Sequence, residues 1–183
     1  FYGGIYLVLT SGETLIQNNE FQALEVNTTE SAAYAAGIIF NATLGPHVIY
    51  NNTFAVPEFN NVGTSTGNSA YGIVLNNAAG NSENMIYHNT FRMTSSTDNG
   101  RLAAVGIEVV ESTAQIWDFQ NNLFTVEHDV SDAYAFYWPV TDTFASDYNN
   151  FDIAASAAVA QFGTGRFDTL TDWNEQSVDE NSS

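Results

Sequence analysis

Apolar residues alternate with polar ones over short runs of three to five positions along this chain, and the runs are rich in Ile, Val, Phe and Tyr. That is the period of a half-buried strand, not the 3.6-residue spacing of a helix. One such run recurs as Gly4-Ile5-Tyr6-Leu7, Gly37-Ile38-Ile39-Phe40, Gly72-Ile73-Val74-Leu75, Gly106-Ile107-Glu108-Val109 and Ala135-Phe136-Tyr137-Trp138. A second phrase follows it each time: Ile16-Gln17-Asn18-Asn19-Glu20-Phe21, Ile49-Tyr50-Asn51-Asn52-Thr53-Phe54, Ile86-Tyr87-His88-Asn89-Thr90-Phe91, Phe119-Gln120-Asn121-Asn122-Leu123-Phe124 and a contracted Tyr148-Asn149-Asn150-Phe151. The phenylalanines step by 33, 37, 33 and 27 residues, and the first phrase precedes the Asn-Asn pair by 14 to 16 residues in every copy. Two phrases that travel together mark one supersecondary unit repeated along the chain.

A third short strand follows each phenylalanine, as in Phe91-Arg92-Met93 and Phe124-Thr125-Val126. Three strands per unit, with turns between them, predict an all-β chain whose equivalent strands pair in parallel from one unit to the next. The expected units are about 4–36, 37–71, 72–105, 106–134 and 135–165, with a polar tail over 166–183, all in a single domain spanning 1–183. In such an arrangement Phe21, Phe54, Phe91, Phe124 and Phe151 form an internal aromatic column. Asn19, Asn52, Asn89, Asn122 and Asn150 are expected at the sharp corners, where asparagine tolerates a left-handed backbone and its amide can bond along the column. His88 stands where the other copies have a corner asparagine and is expected between Asn51 and Asn121.

The asparagine and phenylalanine columns and the Gly-Ile-x-apolar strand resemble right-handed parallel β-helices (β-solenoids) of the pectate-lyase-like superfamily, here with about five coils. The stretch Ser146-Asp147-Tyr148-Asn149-Asn150-Phe151-Asp152-Ile153, followed by Phe162-Gly163 and Leu170-Thr171-Asp172-Trp173, is similar to the end of the repeat region in bacterial secreted β-helix proteins. The resemblance covers about residues 4 to 175 and implies fold more than activity, because one fold hosts lyases, hydrolases, adhesins and spacers. It implies two chemistries to look for. Lyases abstract a proton with Arg or Lys beside Ca²⁺ held by clustered acids, and hydrolases set two or three aspartates on neighbouring rungs to flank one glycosidic bond.

Charge narrows the field. Twenty-one carboxylates stand against three basic residues, for a net charge of −18. Such a surface repels phosphate backbones and anionic membranes, so nucleic acid is excluded as a partner and membrane insertion is not expected. No apolar run reaches the roughly 18 residues of a spanning helix. The chain has no cysteine, which removes disulfides and thiolate metal sites. It opens on Phe1-Tyr2-Gly3-Gly4 without methionine and reads as a piece of a longer chain, whose first unit is expected to stack on further coils or a neighbouring subunit.

With no lysine, the lyase bases reduce to arginines. Arg92 follows Phe91 and so points outward, between Ala55 and Thr125, with no carboxylate cluster beside it to hold calcium. Arg101 follows the Asn99-Gly100 turn signal and reads as a loop charge. Glu108 is the one acid expected in the outward column Tyr6, Ile39, Val74, Glu108 and Tyr137, and one acid makes no glycosidase pair. Glu127, Asp129 and Asp132 lie in an acid-rich stretch that fits Ca²⁺ only loosely, since no known calcium spacing is present. A second outward column, Gln17, Tyr50, Tyr87, Gln120 and Tyr148, offers Tyr50, Tyr87 and Tyr148 as rings for sugars or for packing under loops. The sequence therefore points first to a secreted or cell-surface protein with a structural, adhesive or carbohydrate-binding role and no bound cofactor. The alternative is a polysaccharide lyase or glycoside hydrolase acting on an acidic polysaccharide, with Glu108 or Arg92 as its remaining catalytic candidates.

Overall fold

The computed structural model describes residues 2–8, 11–22, 34–41, 45–56, 69–76, 83–95, 100–109, 116–128, 132–139, 144–176 and 181–183. Its strands come in triplets. The first is β1 (Tyr2–Val8), β2 (Thr14–Gln17) and β3 (Glu20–Gln22), and the second is β4 (Tyr34–Asn41), β5 (His47–Tyr50) and β6 (Thr53–Val56). The third is β7 (Ser69–Asn76), β8 (Glu83–Tyr87) and β9 (Thr90–Ser95), and the fourth is β10 (Arg101–Val109), β11 (Ile116–Gln120) and β12 (Leu123–His128). The fifth is β13 (Ala133–Trp138), β14 (Phe144–Asp147) and β15 (Asn150–Ile153), after which come β16 (Ala158–Phe162), β17 (Gly165–Phe167) and the short helix α1 (Leu170–Asn174).

Each strand pairs with its equivalent in the next triplet. The result is one sheet ordered β1-β4-β7-β10-β13-β16-β17, a second ordered β2-β5-β8-β11-β14 and a third ordered β3-β6-β9-β12-β15. All these pairings are parallel except β16 with β17. The all-β class and the parallel pairing of repeats are thus as the sequence pattern indicates. Among the described residues no helix is long and apolar enough to cross a membrane.

The phenylalanine column is present. Successive rings of Phe21, Phe54, Phe91, Phe124 and Phe151 stack nearly parallel with centroids 4.8, 4.7, 5.0 and 5.2 Å apart, close to the strand spacing. The first four rings are buried and Phe151, at the end, is half-buried. The glycines of the first sheet make room for them. A Cβ on Gly72 would lie 2.8 Å from the Phe91 ring and 2.6 Å from the Ala104 carbonyl, and Gly37 stands in the same relation to Phe54.

The asparagine column needs correcting in two respects. The left-handed backbone falls on the first residue of each pair, at Asn18, Asn51, His88, Asn121 and Tyr148, with φ between 54° and 56°. The second residue, Asn19, Asn52, Asn89, Asn122 or Asn149, forms a hydrogen-bonded ladder. In each step its backbone N–H and its Nδ2 both donate to Oδ1 of the next, at 2.9 to 3.1 Å. Asn149 fills the place expected of Asn150, which instead begins β15 opposite Leu123 and is exposed. The fifth copy is therefore not contracted. Asp147-Tyr148-Asn149-Asn150-Phe151 aligns with Gln120-Asn121-Asn122-Leu123-Phe124.

Residues 182–183 close the last ladder step: Asn149 N–H donates to Ser182 Oγ at 2.8 Å, and Ser183 exchanges backbone bonds with Asn149 and Phe151. Helix α1 closes the same end by burying Trp173 against Phe136, Phe144 and Phe162. Its N-cap is Thr169, whose Oγ1 accepts from Asp172 N–H at 3.2 Å.

His47 is buried inside the second sheet with its ring 4.7 Å from that of Phe40. Burial disfavours its cation and lowers its pKa from 6.5 to about 4. Between those values the unfolded chain takes up a proton at His47 that the folded chain refuses, so the contribution of His47 to stability falls as pH drops from 6.5 to about 4 and is level outside that window. The expected loss is about 3 kcal/mol at most. Urea midpoints of wild type and His47→Gln, taken across this range, should differ in slope. Parallel curves would show that His47 carries none of the effect.

Candidate functional site

The outward face of the second sheet follows from its period. In β8 the exposure alternates so that Asn84 and Ile86 are buried while Glu83 and Met85 are exposed and Tyr87 is half-buried. In-register parallel pairing then lines up equivalent side chains as rows across the five strands. One row is Gln17, Tyr50, Tyr87, Gln120 and Asp147, and the row beside it is Leu15, Val48, Met85, Asp118 and Ala145.

Tyr50 and Tyr87 form the centre of this face. Their rings lie 5.2 Å apart and within 6° of parallel. The Tyr50 hydroxyl donates to Gln17 Oε1, which fixes one end of the pair. The His88 imidazole meets the Tyr87 ring edge-on at 5.3 Å. Around them stand exposed apolar side chains, Leu15, Met85 and Ile116, at 54%, 45% and 46% of full exposure. Tyr148 does not join the row, contrary to the sequence expectation. Asp147 pairs with Gln120, and Tyr148 occupies the left-handed corner position one residue on, 58% exposed.

Beside Tyr87 the face dips into an open pocket of about 120 Å³, lined by Met85, Tyr87, His88, Asp118, Gln120 and Asn121. Asp118 is its one carboxylate. Partial burial raises its pKa, the hydrogen bond from Gln120 Nε2 at 2.9 Å to Oδ2 acts the other way, and the charge of Asp147 adds to the rise. Asp147 is itself occupied. Its Oδ1 accepts from Asn181 N–H, Asn181 Nδ2 and Tyr148 N–H, and its Oδ2 accepts from Asn181 Nδ2. Sequence reasoning passed over Asp118 as a site residue. The signal was Asp118-Phe119-Gln120, which sets an acid and an amide two apart on one strand face.

The other candidates lie elsewhere. Arg92 is exposed on β9 in the third sheet, between Ala55 and Thr125 as expected, with Nη2 4.0 Å from Glu127 of β12. Both members are well exposed, and such a surface pair contributes at most about 1 kcal/mol. Glu108 does not occupy the column expected of it. The register aligns Gly106 with Val74 and Tyr137, and Glu108 lies at an irregularity of β10 between Ile107 and Val109. Gly106 is a glycine for a different reason from Gly72, since its Cβ would lie 2.5 Å from the Tyr71 ring on the outer face of the first sheet.

Arg101 is not a loop charge either. It opens β10, half-buried, with its guanidinium 3.7 Å from the Tyr137 ring centroid and Nε 3.6 Å from Asp132. Of the calcium candidates, Glu127 and Asp132 are thus each set against an arginine, and Asp129 lies outside the described residues. Among the described residues no group of three or more acids or histidines is arranged to hold a metal ion.

No protein-family model, curated protein or solved structure matches this chain.

Proposed function

We propose that the three parallel sheets wind as the faces of one right-handed β-helix, and that the outward face of its second sheet binds carbohydrate without cleaving it, at the cell surface or outside the cell. Right-handed winding accords with the strong preference of parallel strand connections. The observation that carries the binding reading is the half-buried Tyr50–Tyr87 stack, flanked in its row by Gln17 and Gln120. Stacked on each other, the two rings turn their edges and hydroxyl ends outward. With the amides of the same row they offer a small set of hydrogen-bonding groups to sugar hydroxyls beside apolar ring edges, a combination typical of binding sites with few directional polar groups.

The lyase and hydrolase alternative has less support. Asp118 and Asp147 are acids on neighbouring strands, but Asp147 is bonded through both oxygens to the C-terminal segment and so serves the fold. Arg92 and Arg101, the arginines weighed as lyase bases, lie on the third and first sheets, away from the tyrosines. The apolar row of Leu15, Val48 and Met85 suits contact with a surface more than chemistry.

The test is retention in native gels containing dissolved polysaccharide. Wild type should be retarded by at least one neutral or amino polymer, and the double variant Tyr50→Ala/Tyr87→Ala should bind roughly tenfold or more weakly. Both rings are half-buried and outward, so the variant should keep the thermal unfolding midpoint to within a few degrees. Undiminished retention in the variant would remove these tyrosines from the site.

A further inference from the structure

We infer that the glycan taken by this face carries free amines: a polymer containing unacetylated amino sugars, in preference to a uronate. The inference rests on the carbohydrate-binding reading and adds the charge of the ligand to it.

The charges on the face have one sign. Strands β2, β5, β8, β11 and β14 contain no lysine or arginine, and their charged side chains are Glu83, Asp118 and Asp147. The three arginines of the chain are engaged elsewhere, Arg92 with Glu127, Arg101 with Asp132 and Tyr137, and Arg166 with Asp168 at 2.6 Å. A polyuronate would bring its carboxylates to a face with no basic side chain on its strands, on a protein of net charge −18. The same field raises the local concentration of a polycation.

Geometry makes the preference local. The pocket beside Tyr87 sets an aromatic ring and the Asp118 carboxylate on one small cavity of about 120 Å³. An ammonium there meets the negative face of an aromatic ring and a charged acceptor together. Asp118 Oδ2 accepts from Gln120, and among the described residues its Oδ1 accepts no hydrogen bond, leaving an oxygen for the ligand. Sugar rings on either side of that substituent would lie along the Tyr50–Tyr87 stack.

The experiment titrates the protein at neutral pH with three oligosaccharides of equal length: glucosamine, N-acetylglucosamine and galacturonate oligomers. The glucosamine oligomer should bind at least tenfold more tightly than the acetylated one, and the galacturonate least. Asp118→Asn should abolish the difference between the first two while leaving the acetylated oligomer bound. Glu175→Gln, which removes the same charge just past α1, should leave the difference in place and so separates the pocket from the general field of the protein. Equal or tighter binding of galacturonate, or a preference for amine that survives in Asp118→Asn, would overturn the inference while the carbohydrate-binding reading stands. Binding of none of the three by wild type would overturn the inference, and the carbohydrate-binding reading falls with it only if native gels also show no retention by any neutral or amino polymer.

Discussion

Replacing Asn89 by alanine should lower stability by about 3–5 kcal/mol, while replacing Asn150 by alanine should change it by less than about 0.5 kcal/mol. Asn89 is 1% exposed and is bonded in both directions along the ladder. Its Oδ1 accepts from Asn52 N–H at 2.9 Å and Asn52 Nδ2 at 3.1 Å, and its Nδ2 lies 3.0 Å from both the Ile49 and Tyr87 carbonyls. Truncation strands several of these groups away from water. Each buried polar group left unsatisfied costs about 1–3 kcal/mol, and asparagine is the residue whose one side chain offers both the acceptor and the donors. Asn150 has no part in the ladder. Chemical denaturation of the two variants separates a ladder built on the second asparagine of each pair from one built on the sequence alignment of the fifth copy. Equal losses at both positions would contradict the ladder.

Phe91→Ala should cost about as much, ~3–5 kcal/mol, by a different route. Its ring is fully buried between those of Phe54 and Phe124, at 4.7 and 5.0 Å, and lies against the Cα of Gly72. The neighbouring rings are held by strands that pair on both sides, so the cavity has little means of collapsing. Phe151→Ala should cost clearly less, because that ring is half-buried and ends the column. The comparison is read from urea midpoints of the two variants. Equal losses would mean that the stack does not tighten toward its centre.

The strand period, the triplets and the phenylalanine column were legible in the sequence because each depends on a residue type recurring at a regular interval. What escaped it depends on alignment. A two-residue slip leaves a period-two pattern unchanged, so aligning the fourth Gly-Ile phrase on the third by sequence puts it two residues out of register. The structure matches Val105, not Ile107, to Ile73, and Glu108 therefore falls outside the column in which the sequence pattern places it as a lone acid. The two asparagines of each pair look alike in sequence, yet one bends the chain and the other bonds along it. The distinction was available: the first position varies, with His88 and Tyr148 among its occupants, while the second is asparagine in all five copies. The Asp118 pocket was not legible, because its walls come from β8, β11 and the corners that follow them and exist only once those strands are in register.

The most direct measurement follows one incubation with a panel of neutral, amino and uronic polysaccharides, with and without calcium, in two channels: polymer bound to the protein and chain ends released. Binding to a neutral or amino polymer, lost in Tyr50→Ala/Tyr87→Ala and accompanied by no new reducing ends or unsaturated uronate, is the result expected of a non-catalytic carbohydrate-binding face. Release of either product by wild type would contradict it and restore the enzyme reading.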